Sequence, residues 1–182
     1  MTTTTKKTTT SRKTSTVAKK TTTSSKPAAK PAEKIQLTPT SYAHEIFAAV
    51  VAERTKDKKI GILQQYNENF LKSLLIWNFD DSIVSVLPEG EVPIQANENA
   101  EKSPSSNIRK EWNKFYNFVK GGNDAMNKLR KETMFINMLE SFHPGEAEVL
   151  CLVKDKKLQT KYNITKELVS EAYPDIQWGN RS

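Results

Sequence analysis

The first 36 residues limit what this chain can fold into. They hold twelve Thr and four Ser, no aromatic residue, and neither a helical nor a strand periodicity of apolar side chains. Such a segment cannot bury enough apolar surface to offset the entropy of ordering it. Residues 1–36 are therefore expected to form a disordered tail, which leaves folding to residues 37–182. A domain of that size buries roughly two thirds of its unfolded surface, enough for a core without covalent staples.

Charge divides at the same boundary. The tail carries Lys6, Lys7, Arg12, Lys13, Lys19, Lys20, Lys26, Lys30 and Lys34 against Glu33 alone, a net of +8. The whole chain is +7, so the remainder is −1. The domain has no global attraction for polyanions, and any anion site on it must be a local patch. For the tail two readings stand side by side. It is a nonspecific DNA arm whose Lys6, Lys7, Arg12, Lys13, Lys19 and Lys20 release counterions from phosphates, or it is a solvated solubility tail with no ligand. Its Ser/Thr-rich, acid-poor character also suits a plastid transit peptide, and it lacks the apolar core of a secretory signal. Residues 26–34 read as a Pro/Ala spacer biased to polyproline II.

The single Cys151 excludes an internal disulfide framework and a Cys-based zinc site, and fits a reducing, intracellular setting. No apolar run approaches the ~18 residues of a membrane span. The domain reads as all-α, with about seven helices and no convincing strand pair. Thr40 or Ser41 caps the first, whose apolar face is Ala43, Ile46, Phe47, Val50 and Val51. Thr55 caps a second through Tyr66, and a third holds Phe70, Leu71, Leu74, Leu75 and Trp77. Residues 80–104 read as an internal loop marked by Pro88, Gly90 and Pro93. Ile108, Trp112, Phe115 and Val119 recur at helical spacing, stopped by Gly121-Gly122. Met126 to Phe142 forms a fifth helix with Leu129, Phe135, Ile136, Met138 and Leu139 inward. Pro144 opens a sixth that buries Ala147, Leu150 and Cys151. Thr165 caps the last, with Ile164 and Val169 placed as a hydrophobic staple.

No phosphate-binding glycine loop, dinucleotide fingerprint or nucleophile elbow is present, and no catalytic residue, metal or cofactor is expected. His44 and His143 lie far apart in the chain, each expected as a surface or capping histidine rather than a catalyst. Cys151 has apolar neighbours and reads as core, not nucleophile. Asp80-Asp81 reads as a solvated cap more readily than as a metal site. Spacing puts Trp112 and Phe115 in the core and leaves Tyr116 or Phe118 as surface candidates for base stacking.

Several motifs carry resemblances. Lys131-Glu-Thr-Met-Phe-Ile-Asn-Met-Leu-Glu140, then His143-Pro-Gly-Glu-Ala-Glu-Val-Leu150 and Val153-Lys-Asp-Lys-Lys-Leu158, resemble a family of small uncharacterised proteins of T-even-like cyanophages. Trp77, Val86-Leu-Pro-Glu-Gly90 and Gly121-Gly122 extend the likeness over about residues 41–176. It implies a phage protein made in a host cytoplasm, and no activity. Thr55-Lys-Asp-Lys-Lys-Ile-Gly-Ile-Leu63, Phe70-Leu-Lys-Ser-Leu74, Glu148-Val-Leu150, Lys154-Asp155 and Ala172-Tyr-Pro-Asp-Ile176 are similar to the helical N-terminal DNA-binding domain of T-even phage ATP-dependent DNA ligase. The adenylation motif Lys-x-Asp-Gly is absent, so the likeness implies a DNA-gripping part without the enzyme. The Lys-Pro-Ala-Ala-Lys-Pro-Ala-Glu-Lys stretch at residues 26–34 resembles the Lys/Ala/Pro tails of histone-like and linker-histone proteins.

The leading expectation is a non-enzymatic phage protein that binds duplex DNA nonspecifically. Besides the tail, it would use two lysine clusters near helix starts: Lys56, Lys58 and Lys59, and Lys154, Lys156, Lys157 and Lys161. Taken singly, each cluster reads more readily as a solvated charged face. The alternative is a virion or protein-interaction component whose helical face docks a phage or host protein.

Overall fold

The computed structural model describes residues 36–94 and 100–179. The expected tail lies outside them up to residue 35, as do residues 95–99 of the expected loop. The helices are α1 (Ala43–Ala52), α2 (Lys56–Gln65), α3 (Asn69–Phe79), α4 (Ile108–Glu111), α5 (Lys128–Ser141), α6 (Pro144–Lys154), α7 (Leu158–Tyr162) and α8 (Lys166–Ala172). A 3₁₀ segment, Trp112–Phe118, follows α4 directly. The fold is all-α, with no strand among the described residues; α7 is the helix that periodicity did not resolve. None of these helices is long and apolar enough to cross a membrane.

The core forms around α3, where Phe70, Leu71, Leu74, Leu75 and Trp77 are all buried. Apolar residues on several sides of α3 let α6 pack on it from one direction and the 3₁₀ segment from another. α1 lies against α2, α6 and α7, and α2 also packs on α8. The Tyr173 hydroxyl, just past α8, donates to the carbonyls of Leu63 at 2.5 Å and Tyr66 at 3.1 Å, at the end of α2. Ile164 and Val169 are fully buried and the Thr165 hydroxyl accepts the Leu168 N–H, so the staple and cap form as expected.

The α1 cap falls elsewhere than at Thr40 or Ser41. Tyr42 takes that position, and its N–H donates to Glu45 Oε2 at 2.8 Å. The Ser41 hydroxyl instead accepts the Thr38 N–H at 3.0 Å, closing the turn that leads in. Two residues expected inward face out: Val51 is 40% exposed and Leu129 72%.

The largest departure lies between residues 108 and 119. One α-helical turn, capped by the Asn107 side chain, gives way to 3₁₀ winding. Three residues per turn align Trp112, Phe115 and Phe118, where 3.6 per turn would have selected Val119. Phe118 is therefore fully buried, set edge-on to Phe135 at 5.2 Å and stacked on Trp77 at 6.1 Å. Trp112 is only half-buried and Tyr116 is exposed. Val119 leaves the helix for a single bridge with Ser85, and the Val86 N–H donates to the Phe118 carbonyl at 2.9 Å. That bridge pins the extended loop against the core through buried Leu87.

A buried carboxylate holds three helix starts together. Glu146, in the first turn of α6, is 1% exposed. Its Oε2 accepts the Ile108 N–H of α4 at 2.9 Å, and its Oε1 accepts the Ala43 N–H of α1 at 3.2 Å. Free N–H groups at helix starts favour a negative charge. Burial nevertheless dominates and raises the Glu146 pKa above the ordinary glutamate value, against the two backbone hydrogen bonds that lower it.

Candidate nucleic-acid interface

Among the described residues, most of the expected lysines spend their charge within the fold. In the first cluster, at the start of α2, Lys56 pairs with Glu171 of α8 and Lys58 approaches Glu53 at 3.7 Å. Lys59 alone has no ion pair among the described residues. Thr55 occupies the N-cap without accepting a side-chain hydrogen bond. The cluster is exposed, but it is near neutral.

The second cluster does not form a surface patch. Lys154 is 3% exposed, and its Nζ donates to the carbonyls of Pro88 at 2.8 Å and Gly90 at 3.2 Å while pairing with Asp155. A fully engaged, buried ammonium cannot meet a phosphate without unfolding the loop it holds. Lys156 adopts a left-handed backbone, φ 55°, and its Nζ donates to the Asp80 carbonyl at 2.8 Å. Lys157 faces Asp155 at 4.0 Å and Lys161 pairs with Glu148. The sequence run Lys154-Asp155-Lys156-Lys157 thus divides at the end of α6, inward for Lys154 and outward for Lys157. Lys6, Lys7, Arg12, Lys13, Lys19 and Lys20 lie outside the described residues.

Exposed cations without an ion pair among the described residues do occur, but outside both clusters: Arg54, Lys110, Lys120 and Arg130. Asp80 is 1% exposed, so it is not a solvated cap: its Oδ1 accepts the Ser82 N–H and hydroxyl, and its Oδ2 accepts the Gly179 N–H at 3.0 Å. Asp81, by contrast, is solvated. Trp178 returns to the domain beside this contact, under Lys166 Nζ at 5.2 Å.

The two histidines meet. The rings of His44 and His143 stack with centroids 4.7 Å apart and planes 6° from parallel, and Tyr42 stacks beside both. His143 Nδ1 accepts the Gly145 N–H at 3.0 Å, which places its proton on Nε2 when neutral. Burial lowers the His44 pKa, and His143 adds to that effect. No group of three or more His, Cys, Asp or Glu side chains arranged for a metal exists among the described residues. Cys151, expected in the core, is only half-buried, and burial pushes its thiol pKa up to about 11, which keeps it protonated at neutral pH.

Neither the curated proteins nor the solved structures contain a match to this chain. One family model does match, over residues 46–160, from the middle of α1 into α7. By this match across more than half its length, the chain belongs to the family of unknown function DUF6433.

Proposed function

We propose that this is a non-enzymatic phage protein that associates with duplex DNA through its N-terminal basic arm, acting in the host cytoplasm. One observation carries the reading: the chain places +8 in residues 1–36 and −1 in the remainder, and the domain's own lysine clusters are largely neutralised by carboxylates and carbonyls. Attraction to phosphate is thereby assigned to the arm, with the helical domain as its carrier. The likeness of the α2 and α6–α8 segments to a ligase DNA-binding domain supports the same reading, although the Lys154–Asp155 part of that likeness is an internal pair.

A salt titration of full-length protein on duplex DNA tests it. If five or six of the arm's charges neutralise phosphates at once, the log–log slope is about −4 to −5. Replacing Lys6, Lys7, Arg12, Lys13, Lys19 and Lys20 by Gln should remove most of that slope. No measurable affinity at low salt would overturn the DNA reading.

A second reading, a virion or protein-docking component, draws on the groove between α4, the 3₁₀ segment and α5. This groove encloses about 730 Å³ and is lined in part by Met126, Met134 and Met138, whose thioethers adapt to varied partners. Mass spectrometry of purified virions separates it from a purely cytoplasmic role.

A further inference from the structure

His44 and His143 bring the starts of two helices face to face. His44 is the second residue of α1 and His143 is the N-cap of α6, and their rings lie nearly parallel with centroids 4.7 Å apart. The contact is tight, because an added Cβ at Gly145 would meet the His44 ring at 2.6 Å. Parallel rings direct their in-plane lone pairs into separate planes, so the pair in this arrangement cannot share one metal ion. What the geometry does govern is protonation. A neutral His143 carries its proton on Nε2 and accepts the Gly145 N–H at Nδ1. A second proton turns that Nδ1 into a donor facing a donor, and the cap of α6 is lost. His44 Nδ1 is closed to solvent and has no hydrogen-bond partner among the described residues. Imidazolium carries a proton on both nitrogens, so charging His44 leaves an N–H there with no acceptor. Both rings also stand at helix starts, where free N–H groups disfavour positive charge.

The surrounding charges do not offset these costs. Glu45 of α1 and Glu148 of α6 favour a proton on His44, whereas His143 and Lys161 of α7 oppose it. Lys161 pairs with Glu148, so those two largely cancel. Glu45 accepts the Tyr42 N–H, and the Tyr42 ring stacks beside both histidines. Glu146 is committed to the Ala43 and Ile108 N–H groups, and Arg109 of α4 is paired with Glu68. The charged residues of α2 lie in its first turn, where Lys58 approaches Glu53 past the far end of α1. Burial, and then His143, leave the His44 pKa lowered. We propose that the stacked histidines form an acid-sensitive joint, closed while both rings are neutral and opened when the pair takes up a proton. Opening parts the first turn of α1 from the first turn of α6. The rest of α1 stays in place through Ile46, Phe47 and Val50, which are fully buried. The movement is thus confined to the place where residues 36–42 enter the domain.

The test is amide hydrogen exchange of the full chain, corrected for the intrinsic effect of pH, between about pH 7.5 and pH 5, where histidine changes charge. The reporters are the amides of Ala43, Ile46, Gly145 and Ala147, whose hydrogen bonds close the two helix starts. The reference is a His44→Gln/His143→Asn double variant, in which Asn supplies a cap acceptor that does not titrate. It leaves Glu146 in place, and so cancels the opposite contribution of that carboxyl. Relative to this variant, wild-type protection at the four amides should fall about tenfold per pH unit for opening linked to one proton. The fall should level off once His44 is charged in the closed form as well. Leu74 and Leu75, fully buried in α3, should keep their protection throughout. The same pH response in both proteins would overturn the proposal, as would an equal loss at Leu74 and Leu75, which is unfolding of the whole domain. If the double variant does not fold, the wild type decides alone. Its loss of protection must then share a midpoint with the ring-proton shifts of His44, and separate midpoints would overturn the joint.

Discussion

Glu146 Oε2 accepts the backbone N–H of Ile108 at 2.9 Å, although 38 residues separate them. With its second oxygen on the Ala43 N–H, this carboxylate fixes where α1 and α4 begin relative to α6. Glu146→Ala would strand two buried donors and should destabilise the domain by about 3 kcal/mol or more in chemical denaturation. Glu146→Gln retains one acceptor oxygen and should cost less.

The same residue gives a pH signature. Burial raises its folded-state pKa above the unfolded value, so between those two values the folded chain binds more protons than the unfolded one. Its contribution to stability is fully present below the ordinary glutamate pKa and is lost as pH rises through the raised one. Denaturation curves measured across that range should show a component of falling stability in the wild type that Glu146→Gln lacks.

His44 acts in the opposite sense. Its pKa is lowered, first by burial and then by His143, so the unfolded chain binds the proton more readily. Stability should rise with pH from the lowered value up to the ordinary histidine pKa, and a proton NMR titration of the ring should report the lowered midpoint. Steric support for the stack is testable at Gly145, where an added Cβ would come within 2.6 Å of the His44 ring. Gly145→Ala should cost about 1–3 kcal/mol.

Lys154 and Lys157 look alike in sequence and should behave unlike. Lys154→Ala removes the ammonium that holds the Pro88 and Gly90 carbonyls and leaves Asp155 poorly compensated, a loss of about 3–5 kcal/mol. Lys157→Ala, at an exposed site, should change stability by about 0.5 kcal/mol or less. Thermal melts of the two variants side by side decide this.

Phe118→Ala should cost about 3–5 kcal/mol, and Trp112→Ala distinctly less, because 3₁₀ winding buries the former and leaves the latter half-exposed. Equal losses would argue for continuous α-helix through residue 119.

These contrasts show what periodicity could and could not resolve. The apolar faces of α1 and α3, the proline at the start of α6, and the Thr165 cap with its staple are local patterns and were legible. The 3₁₀ winding was not, since Ile108, Trp112, Phe115 and Val119 satisfy a 3.6-residue period and only packing against Trp77 and Phe135 selects Phe118. Nor could residue type separate Lys154 from Lys157: burial of a lysine is decided by which distant carbonyls arrive beside it. The meeting of His44 with His143 is likewise a product of α1 lying on α6.

The hydrogen bonds from Tyr173 to the end of α2 carry a consequence for how the chain is made. The span from α1 to α3 leaves the ribosome well before α8, which packs on α2, is synthesised, and the Leu63 and Tyr66 carbonyls lack their Tyr173 donor until residue 173 emerges. The nascent segment therefore passes through a sticky, protease-sensitive interval, and premature termination anywhere before α8 would yield a product for degradation rather than a smaller working domain.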